Sequence, residues 1–215
     1  MYDNYFLKDI PERPIKPRDS GVTMVMDKGL SIRQLEDMLE SSSDYIDIIK
    51  LGWATSYVYP QLQRKLDILK EAKISTYFGG TLFEAFTIRN QFSDYQRLLD
   101  KYDMEYAEVS DGSMSMDHNE KCEYIKTLTK QVTVLSEVGS KDAEKIIPPY
   151  KWIQLMQAEL DAGAWKVIGE ARESGNVGLF RADGEVRSGL VEEILTQIPA
   201  DKILWEAPQK EQQVF

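Results

Sequence analysis

The stretch VTVLSEVGSKD, residues 132–142, contains the pattern that decides the fold of this chain. An apolar and β-branched run at 132–135 passes directly into small and charged residues, and a helical pattern follows at 149–162. Gly163 suits the position just after that helix, where a left-handed backbone conformation closes the last turn. The segment therefore predicts a strand, a loop and a helix in succession.

The same unit recurs along the chain about every 30 residues, a regular spacing that favours a parallel strand–helix barrel. Ser31 is predicted to cap the first helix and Pro60 to begin the second, because proline loses no hydrogen bond at a first helical position. The pattern predicts strands at 22–26, 45–51, 74–78, 106–109, 132–135, 165–168 and 203–205. It predicts helices at 31–39, 60–72, 83–102, 119–130, 149–162 and 188–197.

The strands do not alternate cleanly between apolar and polar residues, which indicates parallel strands covered on both faces. Strand–helix alternation leaves a doubly wound sheet or a closed barrel, and no glycine-rich nucleotide motif follows the first strand. We therefore predict the α/β class and a single (β/α)8 TIM-type barrel domain over residues 1–215, with 1–20 as an N-terminal extension. Only seven units are visible, so we expect the last βα unit to be absent and the chain to be a portion of a longer protein.

The composition restricts the partners and the compartment. A formal net charge of -10 repels phosphate backbones, which argues against nucleic acid. The single cysteine, Cys122, excludes an internal disulfide and fits the reducing cytoplasm. No apolar run is long enough for a bilayer span or a signal peptide, so we expect no membrane association. Tyr57, Tyr59 and Trp152, interpreted as exposed aromatics, favour a homo-oligomer.

Charged residues gather where the predicted strands end. Lys50, Glu137 and Glu170 lie at strand ends, where side chains point into the mouth of a barrel. All strands of a parallel barrel end at one rim, which is where barrel enzymes place their chemistry. A buried charge there needs a partner or a ligand. The sequence therefore predicts an active site at this rim.

The basic and glycine-rich positions of the rim indicate a small anionic substrate. Arginine binds phosphate or carboxylate through two hydrogen bonds, and lysine attracts either group as a point charge. Glycines let backbone N–H groups approach a ligand closely. We predict substrate-binding roles for Lys50, Arg172, Gly79, Gly80, Thr81 and Ser110.

Carboxylates outnumber basic residues at the rim, and carboxylates facing an anionic ligand imply a hard divalent cation between them, most simply Mg²⁺. The acidic rim residues are Asp27, Glu84, Glu108, Glu137, Glu170 and Glu206. Of these, Glu84, Glu108 and Glu170 are the predicted metal ligands. No Cys/His cluster suits zinc, and the single histidine, His118, lies off the rim, which disfavours a hydrolytic triad.

Five rim segments form a recognisable set: KLGW (50–53), GGTLFE (79–84), SEVGSKD (136–142), EARESG (170–175) and EAP (206–208). Together they resemble the phosphosulfolactate synthase family over nearly the whole chain, from about residue 14 to residue 215. The chain departs from the family pattern at Ala54, where glycine is expected. The family continues past residues 212–213 into an eighth strand and a Gly-Pro-Asn loop, which we expect to be absent here, and this expectation puts the phosphate site that the resemblance implies in question.

The resemblance implies a (β/α) barrel and a Mg²⁺-dependent lyase that adds sulfite to phosphoenolpyruvate. In that family the product feeds coenzyme M in methanogens and sulfolactate in spore-forming bacteria, and plant relatives linked to heat tolerance exist. On this hypothesis Lys141 is the general acid that protonates C2, with a pKa lowered by neighbouring cations. Glu137 orients Lys141 or binds metal, and Lys50 and Arg172 hold sulfite and phosphate.

Two other functions fit the same residues. An aldolase or a lyase similar to phosphoenolpyruvate mutase would use Lys141 to form a Schiff base with a keto acid. A non-catalytic stability or interaction protein could use the same scaffold, because fold does not fix function. The retention of Lys50, Glu137, Lys141 and Arg172 together favours an enzyme.

Overall fold

The computed structural model describes residues 8–10, 12–142, 146–172 and 174–214. The predicted extension at 1–20 and the segment at 170–175 therefore lie partly outside the described residues. The described strands are β1 (Met24–Asp27), β2 (Ile48–Leu51), β3 (Ser75–Phe78), β4 (Tyr106–Val109), β5 (Thr133–Val138), β6 (Lys166–Gly169) and β7 (Ile203–Trp205). The helices are α1 (Ile32–Ser42), α2 (Thr55–Val58), α3 (Leu62–Glu71), α4 (Gly80–Thr87), α5 (Phe92–Lys101), α6 (His118–Leu128), α7 (Pro149–Asp161), α8 (Ser188–Leu195) and α9 (Lys210–Gln213).

The observed helix ends confirm some of the predicted helix boundaries and contradict others. Ser31 caps α1 in a reciprocal capping box with Gln34, as predicted, and Gly163 follows α7 with a φ of 110°. Pro60 does not begin a helix, because the short helix α2 comes first and α3 starts at Leu62. The helix predicted at 83–102 is two helices, α4 and α5, separated by a turn that contains Asn90 at a φ of 57°.

The seven strands are parallel and follow one another in chain order. They form one sheet ordered β1-β2-β3 and a second ordered β4-β5-β6-β7, and β3 lies next to β4. This sequential order is the order of a TIM-type barrel, whereas a doubly wound sheet reverses direction at a switch point. Between β1 and β7 lies a cavity of 300 Å³ lined by Met24 and Leu204 among others.

The interior of the sheets is layered, and this layering positions the site. An apolar layer is formed by Ile48, Tyr77, Leu135, Ile168 and Leu204. Successive side chains of a strand point to opposite faces, so the residue two positions further on faces the same way. Two positions beyond four of these residues stand Lys50, Glu137, Glu170 and Glu206. A charged layer therefore lies directly above an apolar one, at the carboxyl ends of the strands.

The helices cover the outer faces of the sheets with apolar side chains. Leu35, Leu69 and Leu99, from three successive long helices, are at most 1% exposed and share one core cluster. Trp152 on α7 is also only 1% exposed, so its interpretation as a surface aromatic was wrong, whereas Tyr57 is 84% exposed. No helix among the described residues combines the length and the apolar character that crossing a bilayer requires.

Candidate active site

Lys50 is the centre of the charged layer. Its ammonium nitrogen lies 3.0 Å from Glu108 Oε2, 3.3 Å from Glu137 Oε2 and 3.1 Å from Glu206 Oε1. The lysine comes from β2, and its three partners come from β4, β5 and the residue after β7. Burial alone would lower the pKa of Lys50, but the three carboxylates outweigh it and raise that pKa well above its ordinary value.

Ser110 links two of the buried carboxylates. Its hydroxyl oxygen lies 2.5 Å from Glu84 Oε1 and 2.9 Å from Glu137 Oε1. A serine hydroxyl carries one proton, so it can donate fully to only one of the two acceptors. Glu84 also accepts a hydrogen bond from the backbone N–H of Ser113, at 3.2 Å. Glu84 is thus held by protein donors on one side of the site.

Lys141 projects into the same group from the loop after β5. Its Nζ lies 3.2 Å from Glu137 Oε1 and 3.7 Å from Glu170 Oε2, and it donates a hydrogen bond to Thr81 Oγ1 at 3.3 Å. Burial lowers the pKa of Lys141, but Glu137 and Glu170 outweigh burial and raise it. The expectation that neighbouring cations lower this pKa was therefore wrong, because carboxylates rather than cations surround the ammonium group.

Arg172 lies at the outer edge of the site. It is exposed, adopts a φ of 57°, and its guanidinium donates a hydrogen bond to the backbone carbonyl of Lys141 at 3.3 Å. The structure thus brings Lys50, Glu137, Lys141, Glu170 and Arg172 to one mouth. The convergence predicted at the rim is present.

The pKa values of Glu137 and Glu170 are shifted in opposite directions. Burial, then the charge of Glu137, raises the pKa of Glu170 to about 10. Burial would also raise the pKa of Glu137, but Lys50 and Lys141 outweigh it and hold that pKa well below its usual range. Burial likewise raises the pKa of Glu108 to about 7, with Lys50 opposing the shift. The site therefore favours an ionised Glu137 beside a protonated Glu170.

An acidic cluster of three residues could hold a metal ion. Carboxylate oxygens of Glu137, Glu170 and Glu206 all lie within 4.8 Å of one another. Glu170 Oε2 is buried and lacks a hydrogen-bond partner. Of the predicted metal ligands, Glu170 belongs to this cluster, whereas Glu84 and Glu108 lie beside it. Glu206 was noted as a rim carboxylate but not as a ligand; its position two residues beyond Leu204 is the signal that would have identified it.

The glycine pair at the start of α4 allows close packing in this structure. Gly79 N–H donates to the Leu51 carbonyl at 2.9 Å, and Gly80 N–H donates to Glu108 Oε1 at 2.8 Å. A Cβ at position 80 would lie 2.5 Å from both Glu108 Oε1 and Ser110 Cβ. Only glycine allows this approach, so Gly80 fixes Glu108 and Ser110 against the helix.

Asp27 has a separate role from the other rim carboxylates. Its Oδ2 lies 2.6 Å from Lys65 Nζ, and its Oδ1 accepts hydrogen bonds from the N–H groups of Gly29 and Leu30, both at 2.7 Å. Both side chains of the ion pair are 1% exposed. All of these partners belong to the chain itself, so Asp27 fastens the loop after β1 to α3.

Fold and site together define an α/β protein of TIM-barrel type with an acidic, lysine-centred mouth. Solved structures with a similar fold include 3-hexulose-6-phosphate synthase from Salmonella typhimurium, with a TM-score of 0.57 and 14% identity, covering 89% of this chain and 81% of that one. The carboxyl transferase domain of Rhizobium etli pyruvate carboxylase has a TM-score of 0.51 and 12% identity, covering 88% of this chain and 37% of that one. These likenesses concern the fold alone.

Sequence comparison identifies the family. Residues 11–215 match the (2R)-phospho-3-sulfolactate synthase (ComA) family, and the chain belongs to it. The phosphosulfolactate synthase of Bacillus subtilis is 38% identical over 210 residues, covering 96% of this chain and 83% of that protein. The phosphosulfolactate synthase of Methanothermobacter thermautotrophicus is 38% identical over 211 residues, covering 95% and 82%. The resemblance predicted from the five rim segments is thereby confirmed.

Proposed function

We propose that this protein catalyses the Mg²⁺-dependent addition of sulfite to phosphoenolpyruvate, giving 2-phospho-3-sulfolactate, and is therefore a carbon–sulfur bond-forming lyase. The observation that carries this proposal is the meeting of Lys50, Lys141, Glu137 and Glu170 in one mouth, in a chain of this family. The names of the curated relatives support the reaction.

The charge balance of the mouth supports a divalent cation. Two lysines face the five carboxylates of Glu84, Glu108, Glu137, Glu170 and Glu206. Magnesium prefers hard carboxylate oxygens, and Glu137, Glu170 and Glu206 offer them within a small space. Glu170 Oε2 is buried and accepts no hydrogen bond, with Lys141 Nζ 3.7 Å away. This and the raised pKa of Glu170 are what an acidic site shows before a cation neutralises it. Bound there, Mg²⁺ would act as a Lewis acid that stabilises charge on the substrate carboxylate.

The chain's own residues would bind the substrates and deliver one proton. The sulfite sulfur forms a bond to C3 of phosphoenolpyruvate, and the electron pair of the C2–C3 double bond moves towards the substrate carboxylate. A proton then passes from Lys141 Nζ to C2, which leaves the phosphate ester intact. Because its pKa is raised, Lys141 enters this step as the ammonium form.

Basic and hydroxyl side chains at the edge of the mouth would bind the substrates. Arg172 is exposed and suits a phosphate or sulfite group, and Lys50 supplies positive charge at the centre. Ser110 and Thr81 add hydroxyl groups next to Glu137 and Lys141. Gly79 and Gly80 allow the start of α4 to lie close to Lys50, Glu108 and Ser110, so we include both glycines in the substrate-binding part of the site.

The protonation state of Lys141 argues against the alternative function as a Schiff-base aldolase. A Schiff-base aldolase needs a neutral amine as nucleophile, and a lysine with a raised pKa is the wrong form for that role.

The experiment that tests the proposal incubates the purified protein with phosphoenolpyruvate and sulfite, with and without Mg²⁺, and seeks the adduct by mass spectrometry. We expect the adduct only with Mg²⁺ present; its absence in both reactions overturns the proposal.

A further inference from the structure

A second buried group of charges lies outside the mouth, behind β5. Lys121 on α6 and Glu159 on α7 are 1% and 0% exposed, and their charged atoms are 2.9 Å apart. Asp111, in the loop after β4, lies 2.8 Å from the same ammonium nitrogen. His118 contacts Glu159 from the solvent side, at 3.3 Å. The proposed reaction gives none of these groups a role.

The third partner of Lys121 connects this group with the mouth. Lys121 Nζ donates a hydrogen bond to the backbone carbonyl of Glu137 at 2.6 Å. The ammonium group donates hydrogen bonds to Glu137 and Asp111, and it forms an ion pair with Glu159 at 2.9 Å. Burial lowers the pKa of Lys121, but Glu159 and Asp111 outweigh it and raise that pKa, so the lysine stays charged. The ammonium group is thus held in one place.

Glu137 needs this support because of its position in the sheet. The ladder between β4 and β5 ends with the pair Val109 and Ser136, so β4 provides no ladder partner at Glu137. A buried carbonyl without a partner is costly, and Lys121 supplies the missing donor. The side chain of the same residue contacts Lys50, Lys141 and Ser110.

We propose that Lys121 is a positioning residue, which fixes the backbone of Glu137 and thereby holds its carboxylate between Lys50 and Lys141. This inference rests on the proposed function for its kinetic consequence. A small misplacement of a reacting group costs turnover far more than it costs binding. Loss of Lys121 should therefore lower kcat and leave KM for both substrates nearly unchanged.

The test compares two variants that share one background. Glu159→Gln measures the cost of altering the ion pair alone. Lys121→Met with Glu159→Gln removes the donor to Glu137 and leaves only Asp111, whose side chain is 28% exposed, without its counter-charge. We expect kcat of the double variant to fall about tenfold or more below that of Glu159→Gln, with KM within about threefold. A kcat within about threefold of the Glu159→Gln value overturns the inference. If the methionine variant does not fold, Lys121→Leu with Glu159→Gln replaces it under the same criteria, because leucine also has no hydrogen-bond donor.

Lys166→Met is the matched control. Lys166 is also a buried lysine, and it donates to the backbone carbonyl of Asp201 at the opposite end of the strands. Its loss should change kcat by less than about threefold, because no group of the mouth depends on it.

Amide hydrogen exchange gives a readout independent of catalysis. Peptides that cover Thr133–Val138 should exchange about tenfold faster in the double variant than in Glu159→Gln. Unchanged exchange contradicts the role of Lys121 even if the wild type makes no sulfite adduct. A missing adduct in the wild type, with faster exchange in the variant, instead overturns the proposed function alone.

Discussion

Lys50 Nζ lies 3.0 Å from Glu108 Oε2, and this ion pair joins β2 of the first sheet to β4 of the second. No ladder pairing is present between those two sheets in the described residues, so side chains supply this link. The same ammonium contacts Glu137 and Glu206. Lys50 is therefore both a side-chain link between the two sheets and the centre of the candidate site.

Lys50→Met should destabilise the fold strongly. The variant leaves Glu108 and Glu137 buried without their main counter-charge, and breaking a buried ion pair costs about 3–5 kcal/mol of unfolding free energy. Urea denaturation measures the change. Lys70→Met is the control, since Lys70 and Asp103 form an exposed pair and we expect no measurable shift of its midpoint. Equal stability of the two variants would show that the central ammonium does not hold the sheets together.

The metal-free protein should lose stability as the pH rises between about 5 and about 9. The pKa of Glu170 is raised from 4.5 to about 10, and that of Glu108 to about 7, so folding favours their protonated forms. Such a contribution is complete below the unfolded pKa and is lost as the pH rises through the folded one. Glu137 has a lowered pKa, so its contribution is complete above 4.5 and adds no slope here.

Glu170→Gln tests this assignment. The amide cannot ionise. We therefore expect the change in unfolding free energy between about pH 5 and about pH 9 to be smaller than in the wild type, by on the order of a few kcal/mol. Urea denaturation at both values, without Mg²⁺, gives the difference. The exposed Glu185→Gln should keep the wild-type slope. An unchanged slope in Glu170→Gln would mean that Glu170 is ionised in the folded protein.

Glu206→Gln should weaken magnesium binding. Glu206 contributes one of the three clustered carboxylates, and its loss should raise the Kd for Mg²⁺ by about 10- to 100-fold, the range found when a group supporting a metal site is removed. Titration calorimetry with MgCl2 measures Kd directly. Glu192→Gln, an exposed change on α8, should bind like the wild type. Equal affinities of both variants would remove Glu206 from the metal site.

Lys141→Ala should lose turnover and remain folded. A general acid typically contributes about 10²–10⁴-fold to the rate, and the side chain of Lys141 lies partly at the surface of the mouth. The rate of adduct formation and the circular dichroism spectrum are compared with those of Lys151→Ala, whose half-buried lysine on α7 donates a hydrogen bond to Gln154. Turnover within about tenfold of the wild type would exclude Lys141 as the acid.

Gly80→Ala should disturb the site more than a glycine change elsewhere. The new methyl group would lie 2.5 Å from Glu108 Oε1 and displace it from Lys50, so we expect turnover to fall about tenfold or more. Gly189→Ala is the control, because nothing lies within 4 Å of its added Cβ. Steady-state kinetics and thermal melting of both variants distinguish loss of activity from loss of folding. Normal turnover in Gly80→Ala would show that the start of α4 can move freely.

Local sequence signals accounted for most of the architecture. The capping box at Ser31 and the closing Gly163 depend on residues within a few positions, so they were readable without tertiary information. The helix predicted at 83–102 failed because its apolar pattern continues across the turn at Asn90. Trp152 was misread because α7 presents it to the core, and a single sequence does not specify that direction.

The sequence by itself determined the parallel strand–helix order, the placement of charged residues at the carboxyl ends of strands, and the family. Only the tertiary structure decided which carboxylates share a space and which way the pKa of Lys141 moves. Lys50 and Glu206 are 156 positions apart in sequence, yet their charged atoms lie 3.1 Å apart. Electrostatic energy depends on distances of a few ångströms through space, and these follow from how the strands pack rather than from periodicity along the chain.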